Sequence, residues 1–261
     1  MVGGNSEHFA RVASRFRASN PSNRTDLGLR IVSLNVGLPR DVIWHGRTVT
    51  TGIYKSPVEG PVALRKLNLD GDRQADLTVH GGDYKAVYCY PIEHYAYWRG
   101  KLPGRDLPPG SFGENFTTEG LLEDDVHIGD QYTVGSLQAT RSDGSGPAEV
   151  IVTQPRLPCY KLGVRFEADD MVKRFLASRR TGFYLAVTRE GQVATGDAIK
   201  LLSPNPNAVS IAAFVELYVT KTWTPDDITQ IRGLFELPSL PNDWKHHFQA
   251  RLEDAQPAAT V

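Results

Sequence analysis

The segment Gln154-Pro155-Arg156-Leu157-Pro158-Cys159-Tyr160-Lys161-Leu162 sets one of only two cysteines in the chain among two prolines and two cations. A thiol acts as nucleophile or metal ligand in its thiolate form, which nearby positive charge favours. A soft thiolate suits soft metal centres. The residue before each proline is pushed toward extended backbone, so the approach to Cys159 is stiff. The bland alternative, a buried and inert cysteine at a sheet edge, is left open by this segment alone.

Three further segments are dense in polar groups. Leu69-Asp70-Gly71-Asp72-Arg73-Gln74-Ala75-Asp76-Leu77-Thr78-Val79-His80-Gly81-Gly82-Asp83-Tyr84-Lys85 runs into the apolar stretch Ala86-Val87-Tyr88-Cys89-Tyr90. Gly81 and Gly82 let backbone approach a ligand and offer N–H groups to an anion. Lys85 has the charge to neutralise a phosphate, and His80 the chemistry to carry a proton. Pro109-Gly110-Ser111-Phe112-Gly113-Glu114-Asn115-Phe116-Thr117 is a tight polar turn in which Asn115 offers both donor and acceptor groups. Thr51-Gly52-Ile53-Tyr54-Lys55-Ser56-Pro57-Val58 presents Lys55. Each of these also reads as an ordinary capped turn or surface lysine when taken alone.

The elements that must position these groups are short. Glycine (24) and proline (17) are spread along the 261 residues, which favours many strands and turns over long helices. Alternation marks Arg30–Val36 as a half-buried strand, and further short strands are read at Val49–Lys55, Gly60–Leu64, Ala86–Tyr90, Leu137–Thr140, Ala148–Val152, Phe183–Val187 and Asp197–Leu202, with Val126–Gly135 read as strand, turn, strand. Pro91 opens a short helix, and a second helix is read from Glu167 to Ser178. Many strands with few helices argue for a closed or nearly closed β-barrel within a β-rich α+β fold. After Ser203-Pro204-Asn205-Pro206-Asn207 the pattern turns helical. Ser210 caps one helix, Thr224-Pro225-Asp226-Asp227 starts a second, and Trp244, Phe248 and Leu252 line a third. The expected organisation is an N-terminal extension (1–27), a β-barrel domain (28–204), a small three-helix subdomain (205–255) and a disordered tail (256–261).

Composition narrows the function classes. A net charge of −1 gives no global pull toward nucleic acid or an anionic membrane. No apolar stretch is long enough to span a bilayer, and the N-terminus lacks the apolar core of a secretory signal. The cytoplasm is the expected compartment. Two distant cysteines make neither a disulfide framework nor a zinc or iron–sulfur set. Cys89, inside an apolar run, reads as a core residue. His246 and His247, adjacent on a helix, read as solvent-facing.

The polar segments together, in this order, resemble the MOSC family, named for the C-terminal domain of molybdenum cofactor sulfurase, and within it the YiiM-type bacterial branch. The resemblance runs through Thr51-Gly52-Ile53 to Val58, Leu69–Asp72 with Gln74-Ala75-Asp76, His80-Gly81-Gly82, Ala86-Val87-Tyr88, Phe112–Phe116, Gly129-Asp130, Gln154-Pro155-Arg156 to Lys161-Leu162, and Thr181–Tyr184, covering residues 29–203. It implies a MOSC-type β-barrel with flanking helices, followed by the small helical subdomain. It also implies a pterin-based molybdenum cofactor whose metal Cys159 would ligate. Lys55, His80, Gly81, Gly82, Lys85, Asn115, Arg156 and Lys161 would line that cofactor, with His80 as candidate proton donor. The branch is associated with reducing N-hydroxylated compounds, notably N-hydroxylated purine base analogues. A non-catalytic cofactor carrier or sulfur-handling module is the competing reading. No GxGxxG follows a strand and no cysteine set for a cluster is present, so electrons are expected from a separate flavin or iron–sulfur reductase. The N-terminal extension and the Ser142–Pro147 insertion depart from the branch's pattern. Substrate, donor identity and oligomeric state are not legible at this level.

Overall fold

The structure, a computed structural model, describes residues 28–76, 81–135, 146–205 and 209–255. His80, the N-terminal extension, the strand expected at Leu137–Thr140, residues 142–145 of the insertion and the tail at 256–261 lie outside the described residues.

The fold is mixed α+β, built on one large sheet. Its strands are β1 (Arg30–Val36), β4 (Ser56–Pro57), β6 (Val87–Pro91), β7 (Phe116–Glu119), β8 (Gln131–Val134), β9 (Ala148–Pro155), β10 (Phe183–Arg189) and β12 (Ile199–Ser203). They are hydrogen-bonded in the order β12-β8-β9-β10-β6-β7-β1-β4. Every pairing is antiparallel except β6 with β7. That parallel pair requires a crossover, which helix α1 (Glu93–Lys101) and the following turn supply. Two smaller ladders join β2 (Arg40–Trp44) to β3 (Arg47–Thr51), and β5 (Val62–Leu64) to β11 (Gly191–Val193). The two sides of the large sheet meet at the start of β1, where Ile31 N donates to Asp197 O at 2.9 Å and Ile199 N to Leu29 O at 2.8 Å. The link is a local bridge at Arg30 and Ala198, not a continuous ladder. The closed barrel expected from sequence is therefore not shown as such; what is shown is the large sheet with helices around it.

Strand β6 explains why the sheet has two cores. All five of its residues are buried, and successive side chains point to opposite faces. Val87 and Cys89 join one apolar cluster with Phe116, Val152 and Phe183. Tyr88 and Tyr90 join another with Tyr95 and Trp98 of α1 and with Phe112. Phe175 of α3 (Met171–Ser178) stacks on Trp98 with ring centroids 5.6 Å apart. Gly182, at φ 63, lets β10 begin against β6, because a Cβ there would lie 2.3 Å from Cys89 O.

The helical C-terminus follows the sequence signals closely. Ser210 Oγ accepts from Ala213 N at 3.1 Å and caps α4 (Ile211–Val219). Thr224 and Asp227 form a capping box ahead of α5 (Pro225–Phe235). Phe214 of α4 and Phe248 of α6 (Asn242–Ala255) meet edge to face at 5.2 Å. Their apolar side chains belong to the same cluster as the sheet's Cys89 face.

Three expectations are corrected. The helix expected from Glu167 is preceded by another, α2 (Tyr160–Phe166), which begins directly after Cys159 and ends where Glu167 turns left-handed at φ 49. His247 is not solvent-facing: its ring packs against Tyr218 at 5.5 Å and Trp244 at 5.6 Å. The strand expected at Val49–Lys55 is instead Arg47–Thr51, paired with Arg40–Trp44 in the β2–β3 hairpin. The hairpin closes through His45 and Gly46, both at positive φ (48 and 72), a two-residue turn that matches strand twist.

Cys89 is fully buried in the first cluster, where burial pushes its thiol pKa well above the ordinary value. Cys89→Ser should lower stability by roughly 1–3 kcal/mol, because the new hydroxyl is buried without a designed partner. Urea unfolding measures this; a change within error of zero would show that the cavity accommodates a hydroxyl.

Candidate functional site

The loops that leave this sheet meet in an open cleft of about 570 Å³, measured with its mouth. Lys55, Lys85, Asn115, Arg156, Cys159 and Lys161 all line it. These side chains come from segments up to 106 positions apart, so the convergence is a property of the fold. Gly81 and Gly82 do not line the cleft. Gly82, at φ 91 and exposed, opens the 3-10 turn Asp83–Lys85 that delivers Lys85. His80 lies outside the described residues.

Two buried carboxylates fix the cleft floor. Asp72 Oδ1 accepts from Lys55 Nζ and from Gly37 N at 2.9 Å, while Oδ2 accepts from Asn115 Nδ2 at 3.0 Å. Asn115 is otherwise engaged: its Oδ1 accepts from Tyr88 N at 3.1 Å and its Nδ2 also reaches Asn35 O at 3.3 Å. It lines the cleft, but its polar atoms are spent on holding β6, β1 and Asp72 together. Glu114 accepts from Gly110 N at 2.8 Å, Phe112 N at 3.0 Å, Thr117 Oγ1 at 2.9 Å and Tyr95 Oη. It thereby shapes the turn that puts Gly113 at φ 84 against Ile53, where a Cβ would lie 2.9 Å from Ile53 Cγ1.

Electrostatics separate the cations. Burial lowers the Lys55 pKa, although Asp72 and Glu114 oppose it. Burial also lowers Lys85, opposed by Asp243. Arg156 is 5% exposed. Burial works against its charge, yet Tyr88, Tyr184 and Cys159 together hold its pKa above the ordinary value. Its guanidinium lies 5.4 Å from the Tyr88 ring centre and 5.2 Å from that of Phe175, within cation–π reach. Among the described residues its Nη1 has no hydrogen-bond partner, a rare condition for a buried donor and one that a bound acceptor would remove. Cys159 is half-buried in extended backbone (φ −115, ψ 171) at the start of α2. Among the described residues no group of three or more His, Cys, Asp or Glu side chains converges as a metal-binding set. A metal held by Cys159 would bring its other donors with it.

Sequence reasoning gave no site role to Arg73, Tyr88, Phe112 or Tyr184, all of which line the cleft, nor to Asp72 and Glu114 beneath it. Tyr184 carried a readable signal: it is the one hydroxyl-bearing side chain in the apolar run Phe183–Val187. Asp72 and Glu114 carried none, because a buried carboxylate and a surface one look alike in sequence.

A mixed α+β protein with a thiol at the wall of a cation-lined cleft is the class that this geometry defines. The MOSC domain profile matches residues 76–200. Protein YflK of Bacillus subtilis is 35% identical over 229 residues, 87% of this chain and 96% of its own length. Protein YiiM of Escherichia coli is 32% identical over 77% of this chain and 84% of its own length. The crystal structure of YiiM from Geobacillus stearothermophilus superposes with a TM-score of 0.67 at 35% identity, covering 86% of this chain and 99% of that one. A protein of Gibberella moniliformis named "Reductase" is 35% identical over 60% of this chain, which is 26% of its own length. The chain belongs to the MOSC family, among its YiiM-like members.

Glu114 generates a pH-dependent prediction. Burial raises its pKa above the ordinary glutamate value of 4.5, although Tyr95 and the turn's N–H groups oppose this. The folded chain thus holds a proton that the unfolded chain has released. The associated stability is complete below the ordinary value and is lost as pH rises through the folded one, at about 1.4 kcal/mol per unit of displacement. Glu114→Gln should be less stable throughout yet lack this decline. Urea melts between pH 4 and 8 test it, and parallel profiles for the two proteins would exclude the assignment.

Proposed function

We propose that the chain is a MOSC-family oxidoreductase that holds a molybdenum cofactor in this cleft and reduces N-hydroxylated compounds, such as N-hydroxylated purine bases. The observation that carries this reading is the placement of Cys159 with Arg156 on one cleft, where the buried Nη1 of Arg156 has no partner among the described residues. A soft thiolate and an unsatisfied phosphate-type donor on one wall fit a metal-bearing ligand with an anionic tail. Tyr88, Phe112 and Tyr184 add aromatic surface against a planar ring.

When bound, the cofactor supplies two-electron redox chemistry. The overall change is R–NHOH + 2e⁻ + 2H⁺ → R–NH₂ + H₂O. Cys159 would ligate the metal, Arg156 and Lys161 would hold anionic oxygens, and the Asp72–Asn115 floor would keep the cleft's depth constant. His80 is the residue we assign to deliver a proton to the departing oxygen. The electrons come from a separate flavin or iron–sulfur reductase. In support, the Gibberella protein named "Reductase" matches over only 26% of its length, so its similar region sits within a longer chain. No helix among the described residues is long and apolar enough to cross a membrane, and we place the reaction in the cytoplasm.

Cys159→Ser should fold as the parent does but lose most bound molybdenum and at least about a hundredfold in activity, a loss of the order seen when a positioned catalytic group is removed. Elemental analysis and turnover measure both, and a fully active variant would sink the ligand assignment. Purified protein carrying the cofactor should reduce an N-hydroxylated base with reduced viologen dye but not with NADH. Rapid turnover with NADH alone would reveal an electron-entry site within the chain. Cofactor binding with no turnover under either donor would favour a carrier.

A further inference from the structure

Lys55, on the cleft wall, is held by a buried carboxylate. Its side chain is 8% exposed and that of Asp72 is 0% exposed. The same carboxylate binds Gly37 N and Asn115 Nδ2, so it cannot swing away with the lysine. An ammonium in contact with a fixed carboxylate presents a small dipole to the cleft, not a net charge. Arg156 faces the opposite situation: tyrosine rings, Phe175 and Cys159 surround it, and among the described residues no carboxylate pairs with it. The resemblance places both side chains among those that would line the cofactor, without dividing their roles.

We propose that Asp72 sets the charge of the cleft: it masks Lys55 as a structural counter-charge and leaves Arg156, with Lys161, to receive the phosphate of a bound ligand. Asp72 is in this sense a positioning and specificity residue, because it fixes how many positive charges an anion meets. The inference rests on the reading of the cleft as an anion-binding cofactor site and assigns the roles of the residues within it. A charge contact of this kind is strong in a partly dry cleft and scales with the number of unmasked cations.

The test uses the cofactor-free chain, with inorganic pyrophosphate as probe, and calorimetric titration at low salt. Arg156→Met should weaken binding by about tenfold or more, as expected for loss of a charge-assisted contact. Asp72→Asn should tighten it by about threefold or more, because Lys55 becomes an unmasked charge. The double variant Lys55→Met/Asp72→Asn removes both charges and should bind within about twofold of the parent. Should Asp72→Asn fail to fold, the double variant decides: a tenfold loss there makes Lys55 a ligand cation and overturns the proposal. Unchanged binding in a folded Asp72→Asn also overturns it, while leaving the cleft's function standing. A parent chain that binds no pyrophosphate at all would instead remove the anion-site reading on which the proposal rests.

Discussion

The cleft depends on carboxylates that have no water to face. Asp72 and Glu114 are both buried, and a buried carboxylate must find donors or lose its charge. Asp72 finds them in Gly37, Lys55 and Asn115, drawn from three separate stretches of chain. Glu114 finds them within its own turn and in Tyr95 of α1. Neither arrangement is a strong source of net stability, since desolvation offsets most of the attraction. What each provides is geometry: removing any one donor leaves a buried carboxyl oxygen short of a partner, so the loops cannot drift independently. The loops that carry Lys55, Arg73 and Gly113 are therefore held to the sheet by polar groups and not by apolar packing alone.

The alternation of the sheet then sorts the two cysteines into different chemistries. Cys89 lies on a strand buried on both faces, where its thiol pKa is pushed up and nothing from solvent can reach it. Cys159 lies beyond the end of β9, where Pro155 and Pro158 carry the chain out of the ladder and α2 begins. It is half-buried beside Arg156 and Lys161 in the cleft. The same residue type is inert in one place and available in the other because the backbone places one in an apolar cluster and the other beside cations at the cleft.

What was legible in the sequence follows from which signals are local. The caps at Ser210 and Thr224, the strand at Arg30–Val36 and the apolar run around Cys89 are set by neighbours a few residues away, and each reappears in the structure, although in β1 Ser33, Leu34 and Asn35 are all buried where alternation was expected. The convergence of Lys55, Lys85, Asn115, Arg156, Cys159 and Lys161 was carried by motif order, and the fold does bring them to one cleft. Their division of labour was not legible. Whether a lysine is a free cation or the partner of Asp72, and whether an asparagine faces a ligand or ties Tyr88 to Asn35, depends on contacts across 17 to 80 positions. The parallel β6–β7 pair and the left-handed break at Glu167 were missed for a related reason: each is imposed by packing of whole elements, not by a residue preference.

The C-terminal helices bear on the site through one strand. Trp244 Nε1 donates to Gln154 Oε1 at 2.6 Å, and Gln154 lies two residues before Arg156 on β9 and its exit. The indole is itself gripped by Phe214 at 5.0 Å and Tyr218 at 5.6 Å, so α4 and α6 hold a rigid donor against the strand that carries the guanidinium. Asp243, the neighbour of Trp244, offsets through its charge the lowering that burial imposes on the Lys85 pKa. One helical turn thus bears on the strand of Arg156 and on Lys85 while contributing no side chain to the cleft's lining. Because these helices share the apolar cluster behind the sheet, disturbing that cluster would reach Arg156 through Gln154. The helical segment is on this argument a brace for the position of a single buried cation.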